Sequence, residues 1–187
     1  MKQVYPILTT YQPAVHQSGK RPLSAIRIIV LHDMEDTNYK AAAEDTGRWF
    51  ENAASGGSSN FGVDNDSIQR YLPIDVIPWG APGANTEGVH IEQMGAASWT
   101  AADWEAKANP GRKGTLDRAA WLIAHLHHEL GIPIQTLTDQ QLKAGHKGVT
   151  THMQCARVWK PDTHTDPGHG YPLVLVLARA RWYAKQM

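Results

Sequence analysis

The chain has 187 residues, 42% of them hydrophobic and 19% charged, enough for one well-buried domain and too few for two of ordinary size. Eighteen basic residues balance eighteen acidic ones, so no net field selects nucleic acid or an anionic membrane as partner. A single cysteine, Cys155, excludes an intrachain disulfide, and no apolar run reaches the ~20 residues that span a bilayer.

Residues 1–24 read as an extended, proline-punctuated N-terminal segment, with no apolar stretch of the kind a secretory signal needs. The β-branched run Ile26–Leu31 then predicts a buried central strand ending at His32. A helix is expected over 39–54, with Ala42, Trp49, Phe50 and Ala53 sharing a face and Gly47 as its weak point. Asn60–Val63 and Ile68–Leu72 flank the turn Asp64–Asp66 and read as a hairpin. "GVHIEQM" alternates, placing Val89 and Ile91 on one face of a strand and His90 and Glu92 on the other.

Thr100 with Asp103 has the capping-box spacing ahead of a short helix over 101–108. "TLDRAAWLIAHLHHELG" is the strongest helix, with Leu116, Ala119, Ala120, Ile123, Leu126, His127 and Leu130 at helical spacing and Gly131 and Pro133 stopping it. Thr138 with Gln141 marks a second capping box before a brief helix. Residues 145–170, rich in Gly, Thr and His, read as a long loop, a length uncommon in a compact domain unless it has a function. A helix from about Leu173 closes the chain. Strands and helices alternate, so the fold class expected is α/β: a single domain with a mixed central β-sheet flanked by helices.

There are ten histidines. His125, His127 and His128 lie on the long helix without an acid to complete a metal set, and read as a solvated helix face. His16 and His169 read as surface loop residues. His32 ends an apolar strand, where α/β proteins present chemistry, yet a histidine there is as often structural as functional. His152 and His164 share the long loop with Asp166. Two histidines and one carboxylate leave an open coordination position, the make-up of a hydrolytic zinc site. Asp166-Pro-Gly is equally ordinary turn chemistry, so the residues alone leave the metal site open.

Four stretches, in order, resemble the zinc-dependent N-acetylmuramoyl-L-alanine amidases of the type-2 amidase and peptidoglycan-recognition group, above all the amidase domains of mycobacteriophage-type endolysins. They are "IIVLHDME", "PWGAPGANTEGVHIEQMG", "GVTTHMQCA" and "HTDPGHGYP", and the resemblance runs from about Ile26 to Pro172. It implies an amidase catalytic domain over 25–187 of peptidoglycan-recognition/type-2 amidase-like fold. It implies one Zn2+ held by His32, His152 and Asp166, with Glu92 as proton carrier and His164 facing the substrate carbonyl. Trp79, Asn85 and Asn60 would line the substrate groove.

The chain departs from the family in having Gln154 where an acid often follows the second ligand, and Gly80 where a histidine often follows the tryptophan. His146, in "GHKGV", is the rival for the second ligand; Val149–Thr151 supplies the expected strand into His152 instead. Cys155 reads as a small buried hydrophobe. The activity implied is hydrolysis of the bond between muramic acid and L-Ala of peptidoglycan. The implied setting is a monomeric endolysin, made in the host cytoplasm and reaching the wall after the membrane is permeabilised, and the length of the chain is compatible with one module of a larger lysin. A non-catalytic peptidoglycan-recognition module and a zinc peptidase cutting within the stem peptide are the alternatives.

Overall fold

In a computed structural model that describes residues 3–9, 13–110, 113–159 and 164–187, a six-stranded mixed sheet organises the chain. Its strands are β1 (Leu8–Thr9), β3 (Ile28–Leu31), β4 (Phe61–Val63), β5 (Ile68–Arg70), β7 (Gly88–Gln93) and β8 (Gly148–Thr151), in the order β1-β5-β4-β7-β3-β8. β2 (Gln17–Lys20) and β6 (Val76–Pro78) form a separate antiparallel pair. The helices are α1 (Ala42–Phe50), α2 (Ala101–Lys107), α3 (Thr115–Leu130), α4 (Asp139–Lys143), α5 (His152–Trp159) and α6 (Leu173–Ala184). The expected α/β class, mixed sheet and flanking helices are all present. Among the described residues, no helix is long and apolar enough to cross a membrane.

β4 and β5 form the expected hairpin, turned by Asp64, whose Oδ1 accepts from the backbone N–H groups of Asp66 and Ser67. Its other carboxylate oxygen accepts from the N–H of Ala43 and so ties α1 to the turn. Both capping boxes are made, Thr100 with Asp103 and Thr138 with Gln141. The extended N-terminal segment contributes β1, which pairs parallel with β5, and β2. Residues 1–2 and 10–12 of that segment lie outside the described residues.

β3 is paired parallel on both sides, with β7 and with β8. Alternation along these three strands therefore sorts side chains between two covered faces. Ile29, Leu31, Val89, Ile91 and Val149 join the larger core with α3 and α6, and Ile28 and Val30 join a smaller one with Leu137, Leu142 and Cys155. All six residues of β7 are buried, so its pattern separates two interior environments and not core from solvent. Cys155 is buried among these apolar groups, which push its thiol up to about 12.

Two expectations are corrected. Residues 145–170 are not one loop: β8, which contains the strand Val149–Thr151 expected ahead of His152, and α5 occupy 148–159, because Val149 fills the larger core, Cys155 fills the smaller one and Ala156 is buried beside it in sequence. Residues 160–163 lie outside the described residues. On α1 the buried face is Ala42, Ala43, Gly47 and Phe50, while Trp49 is 51% exposed and Ala53 is also outside the core. The helix stops at Phe50, and Trp49 lies about 100° around it from Phe50, at the edge of the buried row.

Candidate metal centre

The registers of β7, β3 and β8 align Ile91, Leu31 and Thr151 across three adjacent strands. The next residue on each is Glu92, His32 and His152, so a single step along a parallel sheet brings an acid and two imidazoles side by side. These residues lie at the C-terminal ends of parallel strands, where side chains face a crevice and not a neighbouring turn. His32 and His152 are 2% and 4% exposed, and Glu92 is 9% exposed.

Asp166 arrives from the segment after α5. Its carbonyl accepts from the N–H of Met153, which anchors the segment to the first turn of α5. Gly168 has φ +85° and packs against the Ala97 backbone where any Cβ would collide, so the turn admits no other residue without displacement. The Asp166–Pro167 peptide bond is cis. Tyr171 Oη donates to Gln93 Oε1 at 2.7 Å, and Gln93 Nε2 donates to the His32 carbonyl at 3.1 Å, joining this segment to β7 and the end of β3.

Nδ1 of His32 lies 3.0 Å from Asp166 Oδ2, and Nδ1 of His152 lies 3.0 Å from Asp166 Oδ1. One ligand atom from each of the three residues lies within 4.8 Å of the other two. Glu92 Oε1 is 3.9 Å from His32 Nδ1, facing the same point. His164 stacks on His152 with ring centroids 4.3 Å apart, and its Nδ1 is 3.7 Å from Asp166. The structure thus gathers His32, His152, Asp166, Glu92 and His164 in one place. His146 is exposed and precedes β8, at the opposite end of that strand from His152.

Burial lowers the pKa of His32, favouring the neutral imidazole that a metal requires. Burial acts on Asp166 in the opposite direction, but hydrogen bonds from His152 and His32 overcome it and hold the carboxyl far below the usual range. Glu92 is raised well above an ordinary glutamate, first by burial and then by the charges of Asp166 and Asp33. Two imidazoles and a carboxylate aimed at one point, with no lysine or arginine among them, are a donor set suited to zinc.

These groups line a cleft of about 750 Å³, whose walls include Ser58, Trp79 and Asn85. Trp79 stacks on His16 with ring centroids 4.9 Å apart and donates from Nε1 to Ser18 Oγ at 2.8 Å. His16 therefore has partners, including the Ala53 carbonyl, and is not a bare surface residue. Asn85 reaches the cleft, but its Oδ1 accepts from the N–H groups of Gly80 and Ala81, so it braces the Trp79 loop.

Asn60 is corrected outright as a groove residue. It is fully buried, its Oδ1 accepts from the N–H of His90, and its Nδ2 donates to the carbonyls of Pro73 and Val76. Gln154 gives His152 no support; it donates to the Leu137 carbonyl and to Asp139. The residue that sequence reasoning missed is His90, whose Nδ1 is 2.9 Å from His32 Nε2. Its sequence signal was its place two residues before Glu92 on the same strand face.

A mixed α/β domain that presents two imidazoles, a carboxylate and a further buried acid at the ends of parallel strands has the make-up of a metallohydrolase. The family model described as N-acetylmuramoyl-L-alanine amidase matches residues 22–169, and the chain belongs to that family of enzymes. Among solved structures, the hydrolase AmiA of Staphylococcus aureus, in complex with its ligand, is similar at 18% identity, with 97% of this chain and 85% of that chain covered and a TM-score of 0.72. The N-acetylmuramoyl-L-alanine amidase LysC of Clostridium intestinale URNW is similar at 16% identity, 95% and 99% coverage and a TM-score of 0.58. A mutant endolysin of Bacillus subtilis follows at 19% identity, 97% and 98% coverage and a TM-score of 0.57. At these identities the likeness is one of fold. No curated protein matches the sequence.

Proposed function

We propose that this amidase is zinc-dependent and cuts the bond between the lactyl group of muramic acid and L-Ala of the peptidoglycan stem peptide. The observation that carries the reading is the convergence of His32, His152 and Asp166 on one point, with Glu92 facing it from the floor of a cleft. A zinc ion held by those three residues would polarise the scissile carbonyl and lower the pKa of water toward ~7.

Glu92 takes a proton from the attacking water and delivers it to the nitrogen of the leaving L-Ala. The C–N bond breaks as the new C–O bond forms, so the products are a free muramic carboxylate and a free amino terminus. His164 stands at the rim of the cleft and donates to the carbonyl oxygen as charge develops on it. The exposed face of Trp79, held by His16 and Ser18, offers a flat wall for the muropeptide. All three roles are carried by side chains, and no covalent enzyme intermediate is needed.

The motif resemblance supports the further reading that the domain acts in a phage endolysin, which reaches the wall once the host membrane is permeabilised. Cells expressing it are then expected to lyse only after a permeabilising agent is added, and lysis without one removes that placement. The chemistry is tested by digesting mycobacterial-type peptidoglycan with zinc-loaded protein and with Asp166→Ala. New amino-terminal L-Ala without new reducing ends, lost in the variant, is the expected result. Cleavage inside the stem peptide would make the protein a peptidase. Tight binding without products would make it a recognition module.

A further inference from the structure

We infer that His90 is a positioning residue that orients His32 toward the metal and sets which of its ring nitrogens carries the proton. The inference rests on the metal-site reading above. His32 turns Nδ1 to Asp166 and Nε2 to His90 Nδ1, at 3.0 and 2.9 Å. A neutral imidazole has one proton. If Nδ1 is the ligand, that proton sits on Nε2, and the atom 2.9 Å away must accept it. His90 Nδ1 is then the acceptor, and the His90 proton lies on its own Nε2.

Three features hold His90 in place. It is fully buried, so no water competes for the contact. Asn60 grips its backbone on both sides, Oδ1 accepting from the His90 N–H and the Asn60 N–H donating to the His90 carbonyl. Its ring lies in a slot that only glycines leave open. A Cβ on Gly80 would come under 3.0 Å from His90 Nδ1, and one on Gly88 would come 2.8 Å from Nε2. Asn85, through the N–H of Gly80, keeps that glycine over the ring. Asn60 and Asn85 thus serve the metal ligand at second hand.

The test compares zinc affinity, by chelator competition, of the wild type with His90→Leu, His90→Asn and Asp166→Ala. His90→Leu should bind zinc about 10–100-fold more weakly, and His90→Asn, which keeps an acceptor, should recover most of the loss. Equal affinity in wild type and His90→Leu, or equal loss in the Leu and Asn variants, would overturn the inference. A second readout needs no variant: 15N NMR of the zinc-loaded wild type should show the His90 proton on Nε2, and a proton on Nδ1 would also overturn it. If Asp166→Ala binds zinc as tightly as the wild type, the metal-site reading itself fails, independently of what His90 does.

Discussion

Glu92 must be ionised to accept a proton, yet burial and two neighbouring acids favour its protonated form. In the proposed mechanism a cation among His32, His152 and Asp166 would resolve the conflict, because a nearby positive charge stabilises a carboxylate. On that reading metal binding would favour the ionised form that the base needs. Glu92→Gln is expected to lower kcat by ~10²–10⁴-fold while leaving zinc affinity close to that of the wild type. The metal-free variant should be no less stable than the wild type, since the amide removes the charge that burial disfavours. Steady-state kinetics with chelator competition would check this, and turnover within tenfold of the wild type would end the assignment. At this scale His32, Glu92, His152 and Asp166 were legible through motifs, each with a local signature. His90 was not, because its partner is 58 residues away in sequence and the contact exists only in the register of β3 with β7.

Among the elements, β3, the hairpin, β7 and α3 announce themselves, because each pairs a clear hydrophobic period with its own stop signals. β8 and α5 do not. Gly, Thr and His are the vocabulary of loops, and only Val149 and the β-branched Thr150 and Thr151 hint at a strand; the helix begins at His152 directly after it. What stabilises α5 comes from outside its own sequence. Arg157 donates to Asp139 through Nε and Nη2, both at 2.6 Å, and joins α5 to α4. These hydrogen bonds, with that of Gln154, depress the Asp139 carboxyl from 3.8 to about 2. A depressed acid contributes stability that is complete above the unfolded-state value and lost as pH falls through the folded one. Both partners are about half exposed, which limits the contribution to less than ~1 kcal/mol. Asp139→Asn should therefore lower the urea midpoint slightly at pH 7, and the difference should vanish as pH falls from 3.8 to about 2. A difference that persists at pH 2 would mean the aspartate acts through something other than its charge.

The whole molecule is two unequal layers on one sheet. α3 and α6 cover the larger face, and the candidate metal centre opens at the strand ends on the side of the smaller core. A buried polar knot lies in the larger layer: Tyr5 and Tyr183 both donate to Asp117 Oδ2, at 2.6 and 2.7 Å. Asp117→Ala would remove the acceptor that two buried hydroxyls share and leave them only each other, at a cost on the order of 2 kcal/mol. The urea midpoint should fall accordingly, with the specific activity of folded protein unchanged because the knot lies across the sheet from the cleft. An equal loss of activity in folded protein would show the two layers to be coupled.

That knot also brings residue 5 and residue 183 to one carboxylate, with their rings 6.5 Å apart. Chain direction and catalytic geometry are therefore separable. A short peptide from Met187 to Gln3, which line one pocket, would close the backbone between them into a ring behind the sheet, and the ring could be reopened at the exposed turn around Gly145. The order in which the ligands are synthesised would then change, with His152 first and His32 last, while the crevice they share kept its shape.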